Sequence, residues 1–122
     1  MGVFTAAGKN ALLDTIDGLG WHAAPFNGNP SSSGTEESSD TTEGRIALDT
    51  KLAAAASGSI ATDTALTWTA TGATTIDYIA IYTASTAGTL LGYASVDSRT
   101  LAIGETLTID AGDLDFALTD PA

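Results

Sequence analysis

The sequence holds one imidazole, His22 in "GWHAAPF", and three closely spaced carboxylates, Asp110, Asp113 and Asp115 in "DAGDLD". A histidine beside a hydroxyl and a carboxylate can run nucleophilic hydrolysis. No GxSxG elbow accompanies His22, and Ser and Thr are so abundant that a hydroxyl near it is expected by chance. A structural or surface histidine is the preferred reading. A single histidine also cannot build a His-rich metal site, which disfavours zinc. Clustered carboxylates can hold Ca²⁺ through hard oxygen ligands. The spacing in "DAGDLD" lacks the glycine and the bidentate glutamate of an EF-hand loop. It reads as a turn running into a solvated strand, with Asp113 and Asp115 on the face opposite Leu114 and Phe116. Paired carboxylates could cleave glycosides, but with 15 acids in the chain some pair always qualifies. Trp21 and Trp68 could stack on sugars. Trp68 alternates with threonines and reads as core; Trp21, at a helix exit, fits either role. No phosphate loop or dinucleotide fingerprint is present. The reading assigns no catalytic residue, no cofactor and no metal ligand.

The elements that would carry these residues change character along the chain. Residues 4–19, "FTAAGKNALLDTIDGL", place Phe4, Leu12, Ile16 and Leu19 at helical spacing, with Ala11 and Leu13 beside them. Thr5 is the expected N-cap, and Gly18 or Gly20 the stop. Asp14 and Asp17 sit at the unfavourable end of the helix dipole, and so short a helix must dock on something to persist. Residues 21–44 are expected to be an acidic Ser/Thr/Gly-rich loop region. Its stretch 27–44 carries no apolar side chain larger than Pro30 and reads as an exposed loop. From residue 45 the period becomes two. Strands are expected over 45–54 (Ile46 and Leu48 on one face), 65–71 (Leu66 and Trp68 inward, threonines outward), 75–83 and 89–97, with two or three more in 100–119. The segment 75–83 is apolar on both faces and is expected to be central, with Ile79 and Ile81 opposite Ile76, Tyr78 and Tyr82. "ASTAG" before 89–97 is a tight turn, with Gly88 available for positive φ. The fold class expected is mainly β: one antiparallel, jelly-roll-like β-sandwich over 45–122, an N-terminal helix over 1–20, and one domain in all.

The charge balance bounds the partners. The chain of 122 residues carries a net charge of −11, with Lys9, Arg45, Lys51 and Arg99 its only cations. Four scattered cations cannot displace counterions from a polyanion or grip an anionic bilayer, so neither nucleic acid nor membrane is expected as a partner. The sequence has no cysteine, which excludes disulfides and thiolate chemistry and fits assembly in a reducing cytoplasm. "MGVFTAAGKN" lacks the features of a signal peptide, Ala6 stands where a myristoylation motif wants Ser or Thr, and no apolar run is long enough to span a bilayer.

The stretches "TWTATGATTIDYIAIYTASTAGTLLGYASVD" (67–97) and "LAIGETLTIDAGDLDFALTD" (101–120) resemble a family of small tailed-bacteriophage virion proteins, labelled tail-fibre or head-decoration proteins. The carrying features are the Ile-rich strand, the small-residue turn ending in Gly-Thr-Leu-Leu, the Gly-Glu-Thr step and the "Ala-Gly-Asp-Leu" segment. The helix "AAGKNALLDTI" (6–16) is also similar to the family's opening helix. Arg45 falls where the family often has an aromatic-Ala-Arg step, but Glu43-Gly44 departs from it, so no role is carried onto Arg45.

The resemblance implies a non-enzymatic β-sandwich that binds other virion proteins. The favoured expectation is a decoration or cement protein on the outer capsid surface, bridging major capsid protein subunits and neighbouring copies of itself as a homo-oligomer. Its candidate contact residues are Phe4, Leu12, Leu13, Ile16, Trp21 and Phe26, together with exposed sheet edges. The alternative is a tail-associated fibre or adhesin module meeting the host surface through an exposed aromatic such as Trp21 or Tyr93. A small hydrolase built on His22 is the third reading.

Overall fold

The computed structural model describes residues 5–30 and 36–117. It is mainly β, with antiparallel pairing throughout and one N-terminal helix. Helix α1 (Ala6–Asp14) continues as a 3₁₀ turn over Thr15–Gly18. Eight strands follow among the described residues: β1 (His22–Phe26), β2 (Ile46–Ala47), β3 (Ser59–Ala61), β4 (Leu66–Thr69), β5 (Thr74–Tyr82), β6 (Leu90–Leu101), β7 (Thr106–Ile109) and β8 (Asp115–Ala117). One layer is a four-stranded sheet in the order β2–β1–β5–β6. The other is divided into two ladders, β3–β8 and β4–β7.

The main core lies between the layers. Ile76, Ile79 and Ile81 of β5 meet Ile60 of β3, Leu66 and Trp68 of β4, Leu107 of β7 and Leu114, while Leu13 and Ile16 close one end. The expected alternation on β4 is present: Leu66 and Trp68 are buried and Thr67 is exposed. β5 is the central strand expected of 75–83, paired with β1 on one side and β6 on the other. Its alternation differs from the expectation in one place. Ile76 joins Ile79 and Ile81 in the main core instead of facing away from them. The register shifts between Ile76 and Tyr78, where Asp77 alone spans residues 96–98 of β6. Such a bulge rotates the strand and moves the residues before it to the other face.

Two expectations give way. The region 21–44 is not all loop, because His22–Phe26 is a strand inserted between β2 and β5. Its Ala23, Ala24 and Phe26 have no exposed surface. A strand covered on both faces shows no polar alternation, which is why "HAAPF" carries no period-two signal. Pro25 is tolerated because its backbone faces away from β5, where its carbonyl accepts from the Ser38 N–H at 2.9 Å. The segment 45–54 is not a long strand either. Only Ile46–Ala47 forms a strand, its ladder carried on by the Leu48 N–H bonded to the Trp21 carbonyl at 2.9 Å. The chain then turns, with the Lys51 N–H bonded to the Leu48 carbonyl and Thr50 at φ 64°, and Leu52 makes an isolated bridge to Thr62. Ile46 and Leu48 lie on one face as the alternation predicts, with Ala47 exposed between them, and the turn after Leu48 returns Leu52 to the core.

Thr5 is the N-cap of α1, its hydroxyl accepting from the Gly8 N–H. The unfavourably placed acids have a tertiary role. Asp14 Oδ1 accepts from the Ala55 N–H at 2.8 Å, Asp17 Oδ1 from the Thr50 N–H at 2.8 Å, and Asn10 Oδ1 from the Gly58 N–H at 3.0 Å. These three acceptors fasten a strandless stretch to the helix and so dock both. Asp14→Ala is expected to lower unfolding free energy by about 1 kcal/mol, the net worth of one such bond. Asp14→Asn keeps the acceptor oxygen and is expected to retain most of that stability. Urea denaturation of the two variants checks this; equal losses would assign the effect to charge.

Candidate interaction surface

The residues with chemical potential do not converge. His22 lies on β1, half-buried, with its Nδ1–H donated to the Gly20 carbonyl at 2.8 Å. Asp110, Asp113 and Asp115 are exposed along a turn and the start of β8. The Asp113 N–H closes the turn on the Asp110 carbonyl and Gly112 sits at φ 89°. Among the described residues no three histidine or acidic groups are placed to share a metal ion. Trp68 is wholly buried, donating its indole N–H to the Gly44 carbonyl at 2.6 Å.

The densest polar cluster is one that sequence reasoning left without a role. Arg45 forms a bidentate pair with Glu37, Nε to Oε2 and Nη2 to Oε1 both at 2.9 Å. Its Nη1 donates to the carbonyls of Ala84 and Ala87 at 2.9 and 2.7 Å, and its guanidinium lies 3.7 Å over the Tyr82 ring. Tyr82 in turn stacks on Phe26. Arg45 thus ties residues 36–45 and the β5–β6 turn onto the outer face of the four-stranded sheet. That face carries Ala24, Phe26, Ala80 and Tyr82 as a second small core. The turn needs this hold, since Ala87 is at φ 53° and Gly88 at φ 76°. A Cβ at Gly88 would come within 2.8 Å of Thr83 Oγ1. Hydrogen bonding to the Glu37 carboxylate raises the Arg45 pKa above its ordinary value against the opposing effect of burial. Burial, then the Glu37 charge, raises that of Tyr82, and Arg45 opposes the rise.

The residues expected to meet a partner lie in different environments. Phe4 lies outside the described residues. Leu12 is 47 % exposed, whereas Leu13 and Ile16 are buried. Trp21 is half-buried, edge-on to Phe116 of β8 at 6.5 Å between ring centres. Phe26, wholly buried beneath the Tyr82 ring, has no surface to offer a partner.

Leu13, Ile16 and Trp21 form one end of a trough of about 410 Å³ between β6 and β8. Ile79 and Ile81 floor it, and Phe116 stands on the far wall. The trough exists because β6 presents small residues inward, with Gly92 opposite Ile81 and Ala94 opposite Ile79. The larger Tyr93 pairs with Ala80 and leans on Tyr78, on the outer face. A second depression of about 450 Å³ continues the trough along β6, sharing Ile79, Ala94 and Leu114 and adding Asp97, Arg99 and Asp113.

The sequence matches the family described as "Podophage GP4 fiber I protein gp80" over residues 7–117, most of the chain. No curated protein matches it.

The Arg45 cluster makes two tests possible. Lysine cannot reproduce the fork or reach both carbonyls, so Arg45→Lys is expected to cost about 2 kcal/mol in urea denaturation, the scale of a partly buried charged hydrogen-bond set. For Tyr82, a raised pKa means that the folded state holds its proton longer than the unfolded chain does. Its contribution is therefore complete below the ordinary tyrosine value of about 10 and falls as pH rises through the folded value. Tyr82→Phe is expected to flatten the alkaline loss of stability, measured as midpoint against pH; an unchanged slope would show that Tyr82 titrates like a free phenol.

Proposed function

The chain belongs to the podophage GP4 fiber I protein gp80 family, a family of tailed-phage virion proteins, and from that premise we propose that it is a non-enzymatic subunit of a podophage fibre. The observation that carries this is the family match across 7–117, which takes in both layers of the fold and nearly all of the helix. The fold supplies what such a subunit needs. It has a rigid two-layer scaffold, an outer sheet face locked by Arg45, and one side where the layers stay open between β6 and β8. Binding to other virion proteins is then a matter of surface complementarity repeated over copies, where modest contacts sum to firm attachment.

A second reading keeps the chain on the outer capsid as a decoration protein, bridging major capsid protein subunits and neighbouring copies of itself. The compact fold favours it. The longest helix among the described residues spans Ala6–Asp14, with neither the heptads nor the repeats from which a fibre shaft is built. In either reading one face meets the particle and the acidic remainder stays in solvent.

Immunogold labelling of purified virions with an antibody to this chain separates the two. Label confined to fibres, lost when the fibres are sheared off, is the expected result. Label spread evenly over the head would replace the fibre with decoration, and absence of the chain from virions would overturn both.

A further inference from the structure

We propose that the trough between β6 and β8 is a docking slot for an extended segment of another virion protein, one that carries large aliphatic or aromatic side chains flanked by lysine or arginine. The proposal rests on the virion-protein reading above and names the kind of partner that the open side of the fold would take.

Three observations converge on it. The first is space. Gly92 and Ala94 put no large side chain beside Ile79 and Ile81 at the sheet edge, and a Cβ built on Gly92 meets no atom within 4 Å. Apolar space of a few hundred Å³ that opens at the surface is what an incoming side chain fills. The second is backbone. Among the described residues β6 is the last strand of its sheet, and no strand of theirs pairs with its outer edge. It departs from regular pairing at Leu91 and again at 96–98, leaving Gly92–Ser95 as the regular stretch between. An extended segment can add to so short an edge, but the irregular flanks keep indiscriminate pairing weak. Affinity must therefore come from side chains entering the trough. The third is charge. Asp97, Asp113 and Asp115 border the trough and its continuation against the single cation Arg99. The chain as a whole carries −11, so a second copy would bring like charge to this border, while a basic-flanked segment is drawn to it.

The test uses the full chain and synthetic peptides. One peptide alternates valine and leucine between flanking lysines. A second has the same centre between glutamates, and a third has a serine and threonine centre between lysines. Binding is read by fluorescence anisotropy of the labelled peptide and by the emission of Trp21. The lysine-flanked apolar peptide is expected to bind at least about tenfold more tightly than either control. Gly92→Val, which fills the trough with a residue that suits a strand, is expected to weaken it by a similar factor while leaving the thermal midpoint unlowered. Gly92→Ala is expected to fall between. Failure of the apolar peptide to bind, equal binding of either control, or unchanged binding to Gly92→Val overturns the proposal. So does concentration-dependent self-association that Gly92→Val abolishes, which would make the occupant a second copy. Immunogold labelling of virions tests the structural role separately, so a failed peptide experiment beside a chain present in fibres would sink the slot and leave that role standing.

Discussion

Strand β5 has to be buried on both faces and paired on both edges at once, and most of the molecule follows from satisfying that demand. Ile76, Ile79 and Ile81 require an apolar layer beneath them; Ala80 and Tyr82 require a cover above. A backbone so enclosed cannot leave donors or acceptors unpaired without a cost of about 1–3 kcal/mol for each. β6 pairs it along its length, but β1 reaches only Tyr78–Tyr82. Beyond β1 a side chain replaces the strand. Asn27 Nδ2 donates to the Thr75 carbonyl at 2.6 Å and to Thr74 Oγ1 at 2.7 Å, and the buried Ser38 hydroxyl bonds the same Thr74 oxygen at 2.9 Å. The acidic loop is held as part of the sheet's margin because β5 needs those partners.

The outer cover shows a related economy. The second core is small, and hydrophobic contact alone would hold residues 36–45 weakly. One arginine supplies the remainder: its fork takes Glu37, its third nitrogen takes two turn carbonyls, and its plane lies on Tyr82. A guanidinium can do all three because it is flat, carries five donors and is weakly hydrated. The hairpin turn that Arg45 grips is also the place where a non-glycine residue, Ala87, adopts positive φ, a conformation that persists only where the surroundings enforce it.

What could be read from the sequence was what local pattern encodes. The helix and its Thr5 cap, the Leu66–Trp68 alternation, the two-faced central strand and the Gly88 turn each leave a periodic or positional mark. β1 left none, because Ala-Ala-Pro-Phe is buried on both sides and too short to show any period. The alternation of Ile46 and Leu48 was legible too, both packing inward around an exposed Ala47; what it did not show was the turn at 48–51 that ends the strand. Ile76 changed faces through a bulge that depends on three residues of the partner strand. The Arg45 cluster joins positions eight and about forty residues apart, a separation at which single-sequence pattern carries no information.

The trough was invisible for a subtler reason, since its signal is the smallness of two residues. Gly92 in the interior of a strand weakens that strand, and no close backbone approach or positive φ demands glycine there. A chain shaped by stability alone would place a β-branched residue at 92. Local choices that run against the fold's own preference tend to fall at functional sites. Here the departure coincides with a side where the two layers remain apart and where acids border apolar surface. The negative charge at that border disfavours a second copy there and favours the basic-flanked segment proposed for the slot.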